Sequence, residues 1–311
     1  MDFWVVTTHF NPARYASRRR NQQLFVNALR LQGVPCLTIE CALAGQPFEL
    51  PTSPDVVRVV AQSPLWHKER LVQLALEHLP KLCAFVAWVD ADVLFCNADW
   101  LPHARQQLQK RVAVQLFEYV DLLDKAALPD PGVARQRLRG FGAQVTERPE
   151  VLQKGQFDAH GHTGFAWAAS RELLEQVGLY PACIAGSADH VMAHAFVLDA
   201  ESACVTRLLG HNTPHHRHFL DWACALRRFA QKRALQGVGF VPGSISHLWH
   251  GAIGNRRYLE RNRVLQELGF DPEVDLIGLS GRPTKPLRLR QPNGPISQYL
   301  AQYFQSRLED D

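Results

Sequence analysis

An apolar run that ends in acid dominates this sequence. From Leu82 to Val89 eight consecutive residues are apolar, and Asp90-Ala91-Asp92 follows at once. Eight residues fall far short of the ~20 that cross a bilayer, and they suit a central strand buried on both faces. Such a strand needs helices on each side of its sheet. The preceding sequence supplies one: between residues 66 and 79 apolar side chains recur at 71, 74, 75, 76 and 79, a helical spacing closed by Pro80.

The alternation extends in both directions. Residues 1–6 read as a first strand, His9-Phe10-Asn11-Pro12 as a break, and 18–31 as a helix with Leu24, Phe25, Ala28 and Leu29 on one stripe. Residues 34–40 and 56–60 read as further strands, 100–110 as a helix and 112–117 as another strand. Strand and helix in turn imply an α/β fold with a parallel sheet. The pattern lapses over 128–155, where Pro129, Pro131, Arg135, Arg137, Arg139 and Pro149 predict a polar excursion or lid. It resumes with a strand at 164–169, helices at 171–177, 189–198 and 218–235, and a strand at 243–250. From Gly281 the composition turns to Arg, Lys, Pro and Asn. This predicts a main domain over 1–280 and, over 281–311, a peripheral basic linker with a short amphipathic terminal helix.

With 46% hydrophobic and 21% charged residues among 311, the chain can bury a large core, and disordered or fibrous classes fall away. A formal charge of +4 gives no bulk attraction for nucleic acid. The first residues show no basic leader with a cleavage site, and the seven cysteines contain no Cys-x-x-Cys pair. They read as reduced thiols buried as small hydrophobes and predict a cytoplasmic protein.

If the backbone stays extended, Asp90 and Asp92 project to one side at the carboxyl end of the central strand. Paired hard oxygen ligands there suit Mg²⁺ or Mn²⁺ holding a diphosphate. A solvated turn pair is the alternative, although two acids ending so apolar a strand are costly to bury without a cation. A histidine of His247-Leu248-Trp249-His250-Gly251 completes the coordination, with His250 favoured because Gly251 lets the backbone approach phosphate. Arg256 and Arg257 offer guanidinium forks to phosphate, or form an exposed helix start. His162-Thr163-Gly164-Phe165-Ala166-Trp167 joins a permissive glycine to aromatics that stack on a sugar or fill a core, and Trp167 and Trp249 are the stacking candidates. Asp189, after Gly186-Ser187-Ala188, reads either as a helix N-cap or as a general base for an acceptor hydroxyl. Arg18-Arg19-Arg20 reads as a solvated helix face, and the histidines between 211 and 218 as a loop.

Several of these segments carry a family likeness: Thr8-His9-Phe10-Asn11-Pro12, Trp66-His67-Lys68-Glu69-Arg70, the strand into Asp90-Ala91-Asp92, Gly164 through Tyr180 to Asp189, and 247–258. Over roughly residues 1–275 they resemble nucleotide-sugar-dependent glycosyltransferases of the GT-A fold, in particular bacterial relatives of the family-2-like and galactosyltransferase-like groups. The resemblance implies a GT-A-like, Rossmann-related open sheet, mostly parallel and flanked by helices. It also implies transfer of a sugar from a UDP-linked donor to a glycan, lipid-linked or protein acceptor, with Mn²⁺ or Mg²⁺. Carried over, Asp90 and Asp92 match the D-x-D pair, His247 or His250 the later histidine, and Asp189 the acceptor-side acid. Asp189 stands alone where many inverting members show paired acids, which leaves the stereochemistry open. Thr8, Asn11 and Glu40, at strand ends, are expected near base and ribose, and Lys68 beside the donor. Competing readings are a metal-dependent nucleotidyltransferase or phosphohydrolase, and a non-catalytic sugar-nucleotide-binding module. The basic tail leaves peripheral contact with the inner face of a membrane open.

Overall fold

The computed structural model describes residues 2–125, 134–157 and 159–311. Its strands, in chain order, are β1 Phe3–Phe10, β2 Cys36–Leu43, β3 Val56–Ala61, β4 Phe85–Val89, β5 Val93–Phe95, β6 Arg111–Gln115, β7 Tyr119–Leu123, β8 Ala134–Arg139, β9 Ala166–Ser170, β10 Gln236–Phe240, β11 Ser244–His247, β12 Leu276–Ile277 and β13 Arg288–Leu289. Seven of them form one sheet in the order β10-β6-β9-β4-β1-β2-β3. β1 pairs in parallel with β2 and β4, β2 with β3, and β6 with β10. Only β9 runs antiparallel, between β4 and β6. The open, mostly parallel sheet expected from the alternating pattern is therefore present.

Side chains along β1 and β4 divide between two apolar clusters. Val5, Ala87 and Val89 enter one with residues of the helices Ala16–Leu31 and Trp100–Leu108. Val6, Val86 and Trp88 enter the other with residues of the helices Lys68–Ala75, Ala188–Phe196 and Pro214–Lys232. Burial on both faces is what the uninterrupted apolar run encodes. At Val89 the chain leaves this sheet, turns through residues 90–92 and enters β5 of a second sheet, ordered β5-β11-β7-β8. In that sheet β11 runs antiparallel to β5 and sets His247 opposite Val93, the residue after Asp92. Strand pairing thus brings the late histidines to the acidic turn.

Three expectations change. Of the predicted excursion over 128–155, residues 128–133 lie outside the described residues, and most of the rest is regular. It comprises β8, a helix Phe141–Glu147 and a 3₁₀ helix Pro149–Lys154, with Phe141, Ala143, Val145 and Val151 buried. β8 is an edge strand with Arg135 and Arg137 exposed, and charge on an edge reads in sequence as loop. Histidines 215, 216 and 218 belong to the helix Pro214–Lys232 rather than a loop: Thr213 caps it, accepting the His216 N–H at 3.0 Å, and Pro214 is in its first turn.

The third change concerns residues 281–311, which are not peripheral. Leu287, Leu289, Leu300, Tyr303 and Phe304 are buried, Phe304 meets Phe10 edge to face at 5.6 Å, and the Tyr15 hydroxyl donates to the Gln305 carbonyl at 2.7 Å. Leu287 and Leu289 stand among basic residues, and Leu300, Tyr303 and Phe304 on a helix polar on its other faces, which hides this packing from a composition count. Among the described residues no helix is long and apolar enough to cross a membrane.

Candidate active site

The carboxyl ends of β1 and β4, the bend before β9 and the start of the helix Ala188–Phe196 surround a cavity of about 570 Å³, a size typical of ligand sites. Its floor is fixed by main-chain ties. Thr7 Oγ1 donates to the Val89 carbonyl at 2.8 Å, and the Asp90 N–H donates to the Phe165 carbonyl at 2.8 Å. Phe165 itself sits at φ 80°, an uncommon conformation for a bulky side chain and of the kind that clusters at functional sites.

The backbone does not stay extended through the acidic triplet, so the two carboxylates part. Asp90 Oδ1 meets Lys68 Nζ at 2.6 Å, and the same ammonium reaches Asp189 Oδ2 at 3.0 Å and Oδ1 at 3.2 Å. Lys68 starts the helix Lys68–Ala75 and is only 7% exposed. Burial disfavours its charge, but Asp189 and Asp90 more than restore it and hold the ammonium well above its usual range. Burial raises Asp90 to about 6 against the pull of Lys68. Asp189 is not the N-cap of its helix. Ser187 occupies that position, and its hydroxyl accepts from Arg261 at 2.6 Å.

Asp92 turns the other way, toward the histidines. His250 Nε2 lies 2.8 Å from Asp92 Oδ2, His247 Nε2 lies 3.6 Å from Oδ1, and the two Nε2 atoms are 3.2 Å apart. Donor atoms of all three residues fall within 4.8 Å of one another. Both histidines gather, so the choice between His247 and His250 falls away, while Asp90 is not in the group. Burial pushes Asp92 up, yet His250, His247 and Arg256 outweigh it and hold the carboxyl well below its ordinary range. Burial also drives His247 well below the usual imidazole value. Asp92 Oδ1 is buried and has no hydrogen-bond partner among the described residues. An orphaned carboxylate oxygen facing two imidazole nitrogens fits a divalent cation with mixed oxygen and nitrogen ligands.

The tail completes this arrangement with a residue the sequence reading missed. Glu309 Oε2 is 3.3 Å from His250 Nδ1, and Arg18 Nη2 donates to Glu309 Oε1 at 2.9 Å. Burial raises the Glu309 carboxyl, but Arg18 and Arg307 prevail and keep it well below its usual range. Nδ1 makes no hydrogen bond among the described residues, so Glu309 at this distance is an electrostatic neighbour of the imidazole, and a carboxylate there favours the tautomer that presents an unprotonated Nε2. Gly251 serves this contact rather than an approach to phosphate: at φ 87° it has no Cβ, and one built there would come within 2.8 Å of Glu309 Cα. Of the basic triplet, Arg18 is turned inward and lines the cavity, whereas Arg19 and Arg20 are exposed as expected.

The remaining sequence candidates divide. Thr8 and Arg256 line the cavity, the latter with Nη2 2.9 Å from His250 Nε2. Arg257 is exposed, with Glu260 at 4.0 Å, and takes no part in the lining. Asn11 is turned onto the main chain of Tyr15 and onto Glu49 Oε2 at 2.8 Å. Glu40, 1% exposed, accepts the Leu50 N–H at 2.8 Å and Arg58 at 3.3 Å. Both hold a loop instead of facing a nucleoside. Trp167 is buried in the core, its indole donating to the Thr163 carbonyl at 2.8 Å and packed on Phe196, so it has no face to offer a sugar. Trp249 lies outside the cavity lining under Lys125. Position at a strand end is legible in sequence; the side of the strand a residue faces depends on pairing.

No protein-family model matches the chain, and no curated protein matches it. Among solved structures, a mutant Drosophila β1,4-galactosyltransferase 7 in complex with manganese, UDP-Gal and xylobiose aligns over 96% of this chain and 99% of its own, at 11% identity and TM-score 0.44. Another structure of that enzyme's catalytic domain, with xylobiose, aligns over 65% of this chain and 63% of its own at 13% identity and TM-score 0.34. The mannosyltransferase PcManGT of Pyrobaculum calidifontis, with GDP-Man and Mn²⁺, aligns over 97% and 69% at 15% identity and TM-score 0.42. A 4-diphosphocytidyl-2C-methyl-D-erythritol synthase of Anaerococcus prevotii aligns over 78% and 86% at 9% identity and TM-score 0.34. Likeness this remote identifies no activity for this chain.

Proposed function

We propose that the chain is a divalent-metal-dependent glycosyltransferase, moving a sugar from a UDP-linked donor to a hydroxyl of a glycan, lipid-linked or protein acceptor. One juxtaposition carries the reading: Asp92, His247 and His250 share a cavity with Arg18, Arg256 and Arg307 at the carboxyl edge of a parallel sheet. A cation-binding set beside a guanidinium wall is complementary to a diphosphate. When bound, Mn²⁺ or Mg²⁺ supplies charge that stabilises the departing diphosphate.

The chain's own groups do the rest. Asp92 and the two imidazoles would hold the cation, with Glu309 fixing His250. Arg256 already reaches into the histidine cluster and would bind a phosphate oxygen. Lys68 orients Asp90 and Asp189 together. Asp189 would take the acceptor's hydroxyl proton as general base, and because Lys68 holds both its oxygens, that hydroxyl must displace one of those bonds. The test is a panel of sugar nucleotides with Mn²⁺ and with Mg²⁺, read by mass spectrometry of the products. Metal-dependent release of nucleoside diphosphate together with a glycosylated acceptor supports the reading. Release of pyrophosphate or nucleoside monophosphate assigns the chain to nucleotidyl transfer or phosphohydrolysis, and metal-dependent binding without turnover reduces it to a binding module.

A further inference from the structure

A second set of buried ligating side chains is gathered separately from Asp92 and its histidines, beneath the wall of the same cavity. His190 and His194 stand four residues apart on the helix Ala188–Phe196 and so share a face. Cys204 comes from the helix Ala203–Leu209, and His160 from the segment before β9. All four are buried, and their ligand atoms lie within 4.8 Å of one another. The three imidazole rings are mutually equidistant, with each pair of centroids 5.1 Å apart. Among the described residues His190 Nε2 and both ring nitrogens of His194 are buried without hydrogen-bond partners, the Asp199 carboxylate standing 4.0 Å from His194 Nδ1. Buried imidazoles ordinarily satisfy their nitrogens with protein or water, and a core that needed only apolar filling would use apolar residues here.

We propose that His160, His190, His194 and Cys204 bind a structural zinc ion. Three nitrogens and one sulfur, four donors in all on buried side chains, are the ligand types and number that Zn²⁺ takes in structural sites, here with His160 and His190 at the wall of the cavity. Mg²⁺ and Ca²⁺ prefer oxygen and are disfavoured by this set. A tetrahedral ion with bonds of about 2.0–2.3 Å spaces its donors by about 3.3–3.8 Å, so even a pair at the 4.8 Å limit needs to close by only about 1–1.5 Å, within reach of side-chain rotation. On binding, the Cys204 S–H bond breaks, its proton passes to solvent and a Zn–S bond forms. The ion would tie the segment bearing His160, which leads through His162 and Gly164 along the cavity wall, to the helix that carries Asp189. This holds whatever reaction the cavity performs.

The experiment is elemental analysis of the untagged full chain, dialysed against a weak chelator. One zinc per chain is expected in the wild type and in Asp92→Ala, and a loss to near zero in Cys204→Ser and His194→Ala. Because those two variants can fail to fold, the wild-type protein is also exchanged with Co²⁺. A near-ultraviolet thiolate-to-cobalt charge-transfer band with strong visible tetrahedral bands is expected. Wild-type protein that holds no zinc and shows no cobalt bands overturns the proposal. So does cobalt bound without the sulfur band, or zinc lost in Asp92→Ala and kept in Cys204→Ser.

Discussion

Asp90 and Asp92 stand two residues apart and face different partners, and this division is the centre of the proposed chemistry. Asp92 is the carboxylate that two imidazoles surround; Asp90 is bound to Lys68. The pair itself was legible, because acids closing an apolar run stand out. Its division was not, because the turn follows from the Phe165 carbonyl and from β5 pairing with β11. Asp92→Ala is expected to weaken Mn²⁺-dependent UDP binding about 100-fold or more, and to lower apo stability at neutral pH because His250, His247 and Arg256 lose the carboxylate that they hold ionised; calorimetry showing undiminished metal-dependent binding would reject the cation site. Asp189→Asn is expected to keep that binding and to lower turnover by about 10²–10⁴-fold, the usual contribution of a general base. Equal loss of binding and turnover in steady-state kinetics would make Asp189 an anchor for Lys68 only.

At the scale of elements, the site depends on which segments touch. The central strands and most helices were readable from periodicity, since β4 and the helices around it carry an unbroken pattern. The edge strand β8 was not, because its residues are mostly charged or polar, and although the terminal helix Pro295–Gln305 was expected, its packing on the rest of the protein was not. The link between His250 and the tail passes through Gly251, where a methyl group would meet the Glu309 and Leu308 main chain at 2.8 and 3.0 Å in a left-handed backbone conformation. Gly251→Ala is therefore expected to destabilise the protein by about 1–3 kcal/mol. It should also weaken Mn²⁺ binding about 10–100-fold by displacing Glu309 from His250. Urea unfolding and metal titration check the two effects, and a variant with wild-type metal affinity would show that the tail carboxylate does not position His250.

Across the whole molecule, buried ionisable groups set opposing limits on stability. Glu69, 1% exposed and next to Lys68 in the chain, is raised to about 8 by burial and then by Asp189. His67 and His215, also buried, are lowered by burial to about 4 and about 3. A carboxyl raised in the folded state stabilises fully below its unfolded value near 4.5, and that stability is lost as pH rises through about 8. A histidine lowered in the folded state stabilises above its unfolded value near 6.5, and that stability is lost as pH falls toward 3–4. Between about pH 4.5 and 6.5 the two effects oppose, with two histidines gaining stability and one carboxyl losing it as pH rises, so the metal-free protein is expected to be most stable near pH 6.5 and to fall on either side. Glu69→Gln removes the alkaline contribution alone. Between about pH 5 and pH 8 the variant's stability relative to the wild type's should rise by about 3 kcal/mol, while below about pH 4.5, where Glu69 is protonated in both folded and unfolded states, the two curves should run parallel. Urea unfolding at about pH 4, 5, 6.5 and 8 measures both limbs. Identical alkaline slopes in variant and wild type would mean that Glu69 is ionised in the folded protein, with Lys68 compensating its burial.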